Sequence, residues 1–251
     1  MRILQRALTL GLVLAVVGAL YFSLREVPLP EPARIDRLIA QGEPVQEASD
    51  RAPFTTTIQG YTYRLTPRAR YDITGLVVSQ HRGDALFNLY HQQDPGNVRD
   101  VCVVWGESIR NGSYRKVTFW SGEFTCSFEW STALSPPFKM ETASNNHLLP
   151  ASDPIARQIG RLEIGDQIRM TGLLVDYQVT QNGRAIFSRH TSLTRGDTGN
   201  GACEILYVTA LAVVRPGDHL RANAARYLWY ASLALLGAVV AVWLARPPLA
   251  D

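Results

Sequence analysis

Lysine is almost missing from this sequence: Lys116 and Lys139 are the only two among 25 basic residues. The rest are arginines scattered along the chain. The net charge of +3 therefore reflects composition rather than a basic block. Clustering on one face or one helix, which a nucleic-acid footprint needs, is not found, and no nucleic-acid partner is expected. Cysteine is scarce as well, limited to Cys102, Cys126 and Cys203, and neither CxxC nor HxxxH spacing occurs. That removes the common zinc arrangements, and no metal is expected. The G-x-x-x-x-G-K-[ST] order of a nucleotide loop and the G-x-S-x-G elbow of α/β-hydrolases are also missing, so no motif calls for a cofactor.

What the sequence has in abundance is apolar residues at its two ends. Residues 7–24 (ALTLGLVLAVVGALYFSL) and 227–245 (YLWYASLALLGAVVAVWLA) carry no charge. Each approaches the ~20 apolar residues that cross a bilayer as a helix. The second run has Tyr227, Trp229 and Tyr230 at one end and Trp243 near the other, as rings seated at two membrane interfaces would be. The first follows Arg2 and Arg6 in the manner of a signal peptide, with a cleavage site to be drawn at Val17-Gly18-Ala19. Bulky Leu20, Tyr21 and Phe22 follow directly, which favours an uncleaved anchor. Arg2 and Arg6 place the N-terminus in the cytoplasm and send residues 25–226 across the membrane. Arg221 and Arg226, set against Arg246, pull the other way, but the first helix usually decides.

Four segments follow: an anchor over 1–24, a proline-containing tether with one short helix over 25–53, a β domain over 54–215, and a second membrane helix with a short tail over 216–251. In the tether, Ile35, Leu38 and Ile39 fall on one helical face. From residue 54 the pattern turns to alternation and short β-branched or aromatic runs. Strands are predicted at 61–65, 71–80, 101–105, 114–120, 124–130, 167–180, 185–189 and 204–214. Asn182-Gly183 is a hairpin signal, because both central residues of that turn need positive φ. Ser152 as N-cap, Asp153 on the positive end of the dipole and Pro154 in the first turn predict one short helix. The fold class is mainly β, a small barrel or barrel-like sandwich, OB-like among the options, flanked by two transmembrane helices. The stretches ITGLVVS and MTGLLVD, which share T-G-L-x-V, put Gly75 and Gly172 inside long strands as bend points of a single barrel. Their surroundings do not repeat, which speaks against a duplication.

Outside the cytoplasm, two of the three cysteines are free to pair. Cys102 and Cys126 lie in predicted strands, and closing the loop between them would remove about 3 kcal/mol of unfolded-chain entropy. Three buried free thiols are the alternative.

Three polar segments are candidates for chemistry. In DPGNVRDVCVVWG, Asp94 and Asp100 form a pair of carboxylates, but Asp-Pro-Gly reads as a turn and Asp100 as the start of a strand. In SNNHLLPASD, His147 sits among Ser144, Asn145 and Asn146, company that suits acid–base work or ligation as well as a histidine bonded within its own loop. In SRHTSLTRGDTGNGACE, Thr198, Gly199 and Asn200 join Arg195 and Asp197 in an exposed loop whose backbone N–H groups can cradle an anion, or whose Asp and Thr side chains cap its own turns. His147, Asp197 and Arg195 are the catalytic candidates, and Asn146, Thr198, Gly199 and Asn200 the ligand-binding ones.

Taken together, VVWGES, SNNHLLPAS and SLTRGDTGNGACE resemble a family of uncharacterised proteobacterial membrane-associated proteins. That family shares a Trp-Gly step, an N-x-H-L-[IL]-P segment and an S-L-[TS]-R-x-D-T-G-x-G-x-C-E segment. The likeness spans roughly residues 60–214, implies one continuous domain, and marks Trp105, His147, Arg195, Asp197, Gly199 and Cys203 as shared positions. It implies no activity, and its inclusion of Cys203 weighs against the Cys102–Cys126 pairing. The expectation is a bacterial inner-membrane protein with both termini cytoplasmic and residues 25–226 extracytoplasmic. It is a non-enzymatic β module tethered to the lipid bilayer by two helices and offered to an envelope or membrane protein partner. An extracytoplasmic hydrolase or small-ligand-binding domain, using His147 and the 195–201 loop, is the alternative.

Overall fold

The computed structural model describes residues 2–82, 94–122, 124–199 and 201–245. These form two compact units, one of residues 1–28 with 218–251 and one of residues 29–217.

The first unit is a helix pair. α1 (Arg2–Ser23) and the last helix, α6 (Ala224–Leu244), have 22 and 21 residues. At 1.5 Å per residue each is long enough for the ~30 Å hydrocarbon layer. Apolar side chains such as Leu14, Leu233 and Leu236 are exposed. Lipid would cover them, so both helices are candidate membrane spans. Gly18 faces Leu228 and Gly11 faces Leu235, so the helices run antiparallel, with small residues admitting the partner's leucines.

The second unit is mainly β. The segment expected to be a tether with one short helix contributes that helix and a strand to it. Asp36 caps α2 (Arg37–Gln41) by accepting from the Leu38 N–H, and Ile35 and Ile39 are buried in the core. β1 (Val45–Ala48) and β2 (Phe54–Ile58) both pair with β3 (Tyr61–Arg82). β4 (Arg99–Val104) leads into α3 (Gly106–Arg110) and a small hairpin of β5 (Thr118–Gly122) and β6 (Thr125–Glu129). β7 (Ala143–Pro150) runs into α4 (Asp153–Ile159), with Pro154 in its first turn and Ser152 at the N-cap without a side-chain cap bond. β8 (Gln167–Gln181) and β9 (Arg184–Arg189) form the Asn182-Gly183 hairpin, φ 51° and 76° at the turn, before β10 (Glu204–Arg215) and α5 (His219–Ala222), the latter in the first unit. α2 is the short helix expected within residues 25–53, and α3 joins the single helix expected in the β domain.

Pairing closes on itself. β3 pairs with β4, β4 with β7, β7 with β10, β10 with β8, and β8 again with β3. Among the described residues only the β7–β10 contact is parallel. A five-strand cycle with a helix between its third and fourth strands is the OB-like, barrel-like ring anticipated above. Its interior holds Ile73, Leu76, Val101, Val103, Leu148, Met170 and Leu206, with a second cluster around Tyr63, Leu149, Val175 and Ile205.

The two T-G-L stretches lie on paired strands, with Ile73 opposite Met170 and Tyr71 opposite Gly172. A Cβ on Gly172 would overlap the Tyr207 carbonyl oxygen, beside a bulge between Val208 and Ala210. A Cβ on Gly75 would stand 3.0 Å from the Val103 side chain. Each glycine admits a neighbouring strand that any side chain would hold off. Pro67, which cannot donate to the ladder, sits at a bulge where Arg68 is the extra residue.

Candidate functional site

His147 lies in the middle of β7 rather than in a loop, and it is fully buried. The β4–β7 register sets Asp100 directly opposite it, so strand pairing alone brings carboxylate to imidazole. Nδ1 is 2.9 Å from Asp100 Oδ1, and Nε2 is 2.8 Å from Asp94 Oδ2. Asp94 comes from the turn ahead of β4. It accepts further bonds from the hydroxyls of Tyr63 on β3, at 2.7 Å, and Tyr177 on β8. The Gly96 N–H donates to the Tyr63 oxygen at 2.7 Å, and a Cβ on Gly96 would collide with that ring. Asn97 Nδ2 and the Phe124 N–H both donate to Asp100 Oδ2, each at 3.2 Å.

Electrostatics fix the charge of this cluster. Burial alone would depress the His147 pKa, but Asp100 and Asp94 outweigh it and raise it from 6.5 to about 9. Burial likewise acts to raise Asp94, yet His147 and the two tyrosine hydroxyls hold it below its ordinary value. Both phenols are pushed up, first by burial and then by Asp94. At neutral pH the ring is an imidazolium clamped between two carboxylates, and both of its nitrogens are engaged. A general base needs a free nitrogen within reach of a substrate proton, and His147 has none.

The glycine-rich loop between β9 and β10 is built differently. Ser192 Oγ donates to Asp197 Oδ2 at 2.5 Å and accepts from the Thr194 N–H at 3.1 Å. Gly196, Gly199 and Gly201 have φ of 75°, 88° and 102°, which side chains rarely adopt. Arg195 turns inward. Its Nη1 donates to the Tyr71 hydroxyl at 2.8 Å and stands 3.8 Å from Glu204 Oε1. The guanidinium also lies 5.3 Å from the Trp105 ring and 5.2 Å from that of Tyr71.

His147, Arg195 and Asp197 bond different partners: the first Asp94 and Asp100, the second Tyr71, the third Ser192. Asn146 is buried, its Nδ2 donating to Ser144 Oγ at 2.9 Å. Asp197, Thr198 and Gly199 do share a surface, one wall of a cleft of about 560 Å³. Asn200 lies outside the described residues. Phe124 to Phe128 of the β5–β6 hairpin, Asn145, Arg189 and Glu204 also line the cleft. Asn145 Nδ2 donates to Cys203 Sγ at 3.1 Å. Cys102 and Cys126 are joined in a disulfide, while Cys203 is a buried free thiol kept protonated mainly by that burial.

The reading of Asp94 as a turn residue and Asp100 as a strand opener missed their place beside His147. Arg99 and Asp100, charges inside the apolar run VRDVCVVW, hinted at buried partners. Glu204, Asn145 and Phe124 were missed as cleft residues, because strand register rather than spacing assembles them. The three segments that carried the family resemblance meet in space, Trp105 with Arg195 and Asn145 with Cys203. No family model, curated protein or solved structure matches the chain.

Proposed function

We propose that this chain is a bacterial inner-membrane protein that holds its β domain outside the cytoplasm as a binding module, with the cleft under the 194–204 loop as its binding surface. The observation that carries the reading is chemical. Asn145 Oδ1 and Glu204 Oε2 belong to residues lining that cleft, are buried, and have no hydrogen-bond partner among the described residues. Buried polar atoms are rarely left unpaired, and a ligand would pair these two once the cleft wall shifted to uncover them. The cavity volume falls within the ~300–1,000 Å³ typical of small-molecule sites.

Antiparallel packing of α1 and α6 would keep both termini on one side of a bilayer, and Arg2 and Arg6 support reading that side as cytoplasmic. The Cys102–Cys126 disulfide suits an oxidising compartment. Binding is favoured over hydrolysis because the imidazole that a hydrolase would use is locked between Asp94 and Asp100. A photo-crosslinking residue placed at exposed Thr198, and as a control at exposed Gln158 on α4, tests the surface in living cells. Adducts from Thr198 alone are expected. Equal adducts from both positions, or none, would refute the cleft as the binding surface.

A further inference from the structure

We infer that β2 is a self-pairing edge: two copies of this chain join β2 to β2, antiparallel about a two-fold axis at Thr56, so that the sheet of one copy continues into the other. β2 is held by β3 on one side, and among the described residues no strand pairs with its other side. The hairpin fixes which backbone groups face that free side. Its two-residue turn, Gln59-Gly60 with φ 50° and 83°, makes Ile58 and Tyr61 a hydrogen-bonded pair. Alternation along an antiparallel ladder then bonds Thr56 to Tyr63 and Phe54 to Leu65. Thr55 and Thr57, opposite Arg64 and Thr62, are left with their backbone N–H and C=O groups pointing outward. Both residues are exposed, and such a row is a template for another strand.

The order of residues on this edge selects a second copy as the occupant. FTTTI is palindromic in character, apolar at both ends with threonine between. Centred on Thr56, antiparallel pairing sets Phe54 of one copy opposite Ile58 of the other and Thr55 opposite Thr57. The outward-pointing groups then meet: each Thr55–Thr57 pair exchanges both of its N–H···O=C bonds, while Thr56 meets its own counterpart as a non-hydrogen-bonded pair. Pro53, next in the outward row, has no N–H and ends the pairing there. On the core side Phe54 and Thr56 are half-buried, and the other copy's Ile58 and Thr56 would cover them. Aromatic with β-branched and threonine with threonine are favourable cross-strand neighbours. Edges that stay single are guarded by charge, proline or a bulge, and β2 holds none of these. The other edge strands differ. β9, turned on itself, would set Arg184 against Arg189 of the second copy, and β1 has four residues and carries Glu47. A five-residue edge is short. Confining both copies to one bilayer through their apolar helices raises their effective concentration and favours the pairing.

The test uses the full-length chain in its own membranes, carrying one added cysteine and treated with a mild oxidant. Residues opposite each other in a non-hydrogen-bonded pair have Cα atoms about 4.5 Å apart, within disulfide reach. Thr56→Cys should therefore convert most of the chain to a covalent dimer, and Ile186→Cys, exposed on β9, should not. Two further changes in the Thr56→Cys chain block the edge. Thr55→Pro removes an outward N–H and no bond to β3. Thr55→Lys with Thr57→Lys sets lysine against lysine on the exposed face. Each should abolish the dimer while the tryptophan fluorescence of the folded chain stays unchanged. Mixing the double-lysine chain with one carrying Thr55→Glu and Thr57→Glu should restore crosslinking, which a misfolded chain could not do. Absence of the Thr56→Cys dimer overturns the inference, as does a dimer that persists in both blocked chains. A photo-crosslinker at Thr57 that captures other proteins and no second copy overturns the choice of partner. These outcomes are independent of the cleft, which crosslinking from Thr198 decides separately.

Discussion

Raising the pH should unfold this domain from the inside, at His147. An imidazole held at about 9 in the folded state and 6.5 unfolded contributes about 3 kcal/mol of stability when charged. The sign follows from the proton count: the contribution is complete below about pH 6.5 and is lost as pH rises through about 9, and roughly 2 kcal/mol of it disappears between about pH 6.5 and 8.5. Glu204 acts in the same direction, since its folded pKa is about 8 and the unfolded carboxyl has already released its proton. The Glu204→Gln background removes that component. Asp94, whose folded pKa is depressed, stabilises above its unfolded value and fails only in acid, outside this window. The assay is urea unfolding of full-length Glu204→Gln in nanodiscs, followed by tryptophan fluorescence at a series of pH values. A stability that is level or rising between about pH 6.5 and 8.5 would refute a charged His147. Adding His147→Gln should flatten the profile and cost a further ~3–5 kcal/mol, because two carboxylates would stay buried without their cation.

Other outcomes follow from the packing. Gly172→Ala should destabilise the domain by about 3 kcal/mol in the same assay, because its methyl enters the space of the Tyr207 carbonyl. Arg195→Ala should cost about 1–2 kcal/mol through the lost Tyr71 bond and ring contacts, and Arg195→Lys should not restore it, since the planar stacking group is gone. Replacing Cys102 and Cys126 together by serine should lower stability by about 3 kcal/mol, read as a shifted urea midpoint. Cys203 should react with maleimide only after unfolding, because the thiol is buried and protonated.

The sequence revealed elements wherever local chemistry dictated them. Asn182-Gly183 had to turn, Pro154 had to open a helix, and the terminal apolar runs had to become long helices. It revealed less where long-range register does the work. SNNHLLP reads as a polar loop, yet it is the central strand β7, flanked by β4 and β10, and its histidine is tolerated there because β4 and the turn ahead of it supply Asp100 and Asp94 as partners. Asp100 and His147 are 47 residues apart in sequence and face each other only once β4 and β7 pair. The glycine-rich loop was legible as a surface loop, but its pairing with Glu204 and Asn145 across one cleft depends on the parallel β7–β10 contact. In residues 25–53 the short helix was legible from Ile35, Leu38 and Ile39 on one face, whereas strands β1 and β2 bordering it, which pair with β3, were not.

The central claim is that the β domain stands outside the cytoplasm, since the disulfide and the partner both depend on it. A phosphatase reporter that is active only outside the cytoplasm, fused after Trp130, tests this directly. Activity in living cells is predicted; a silent reporter, with a cytoplasmic reporter active at the same position, would contradict it.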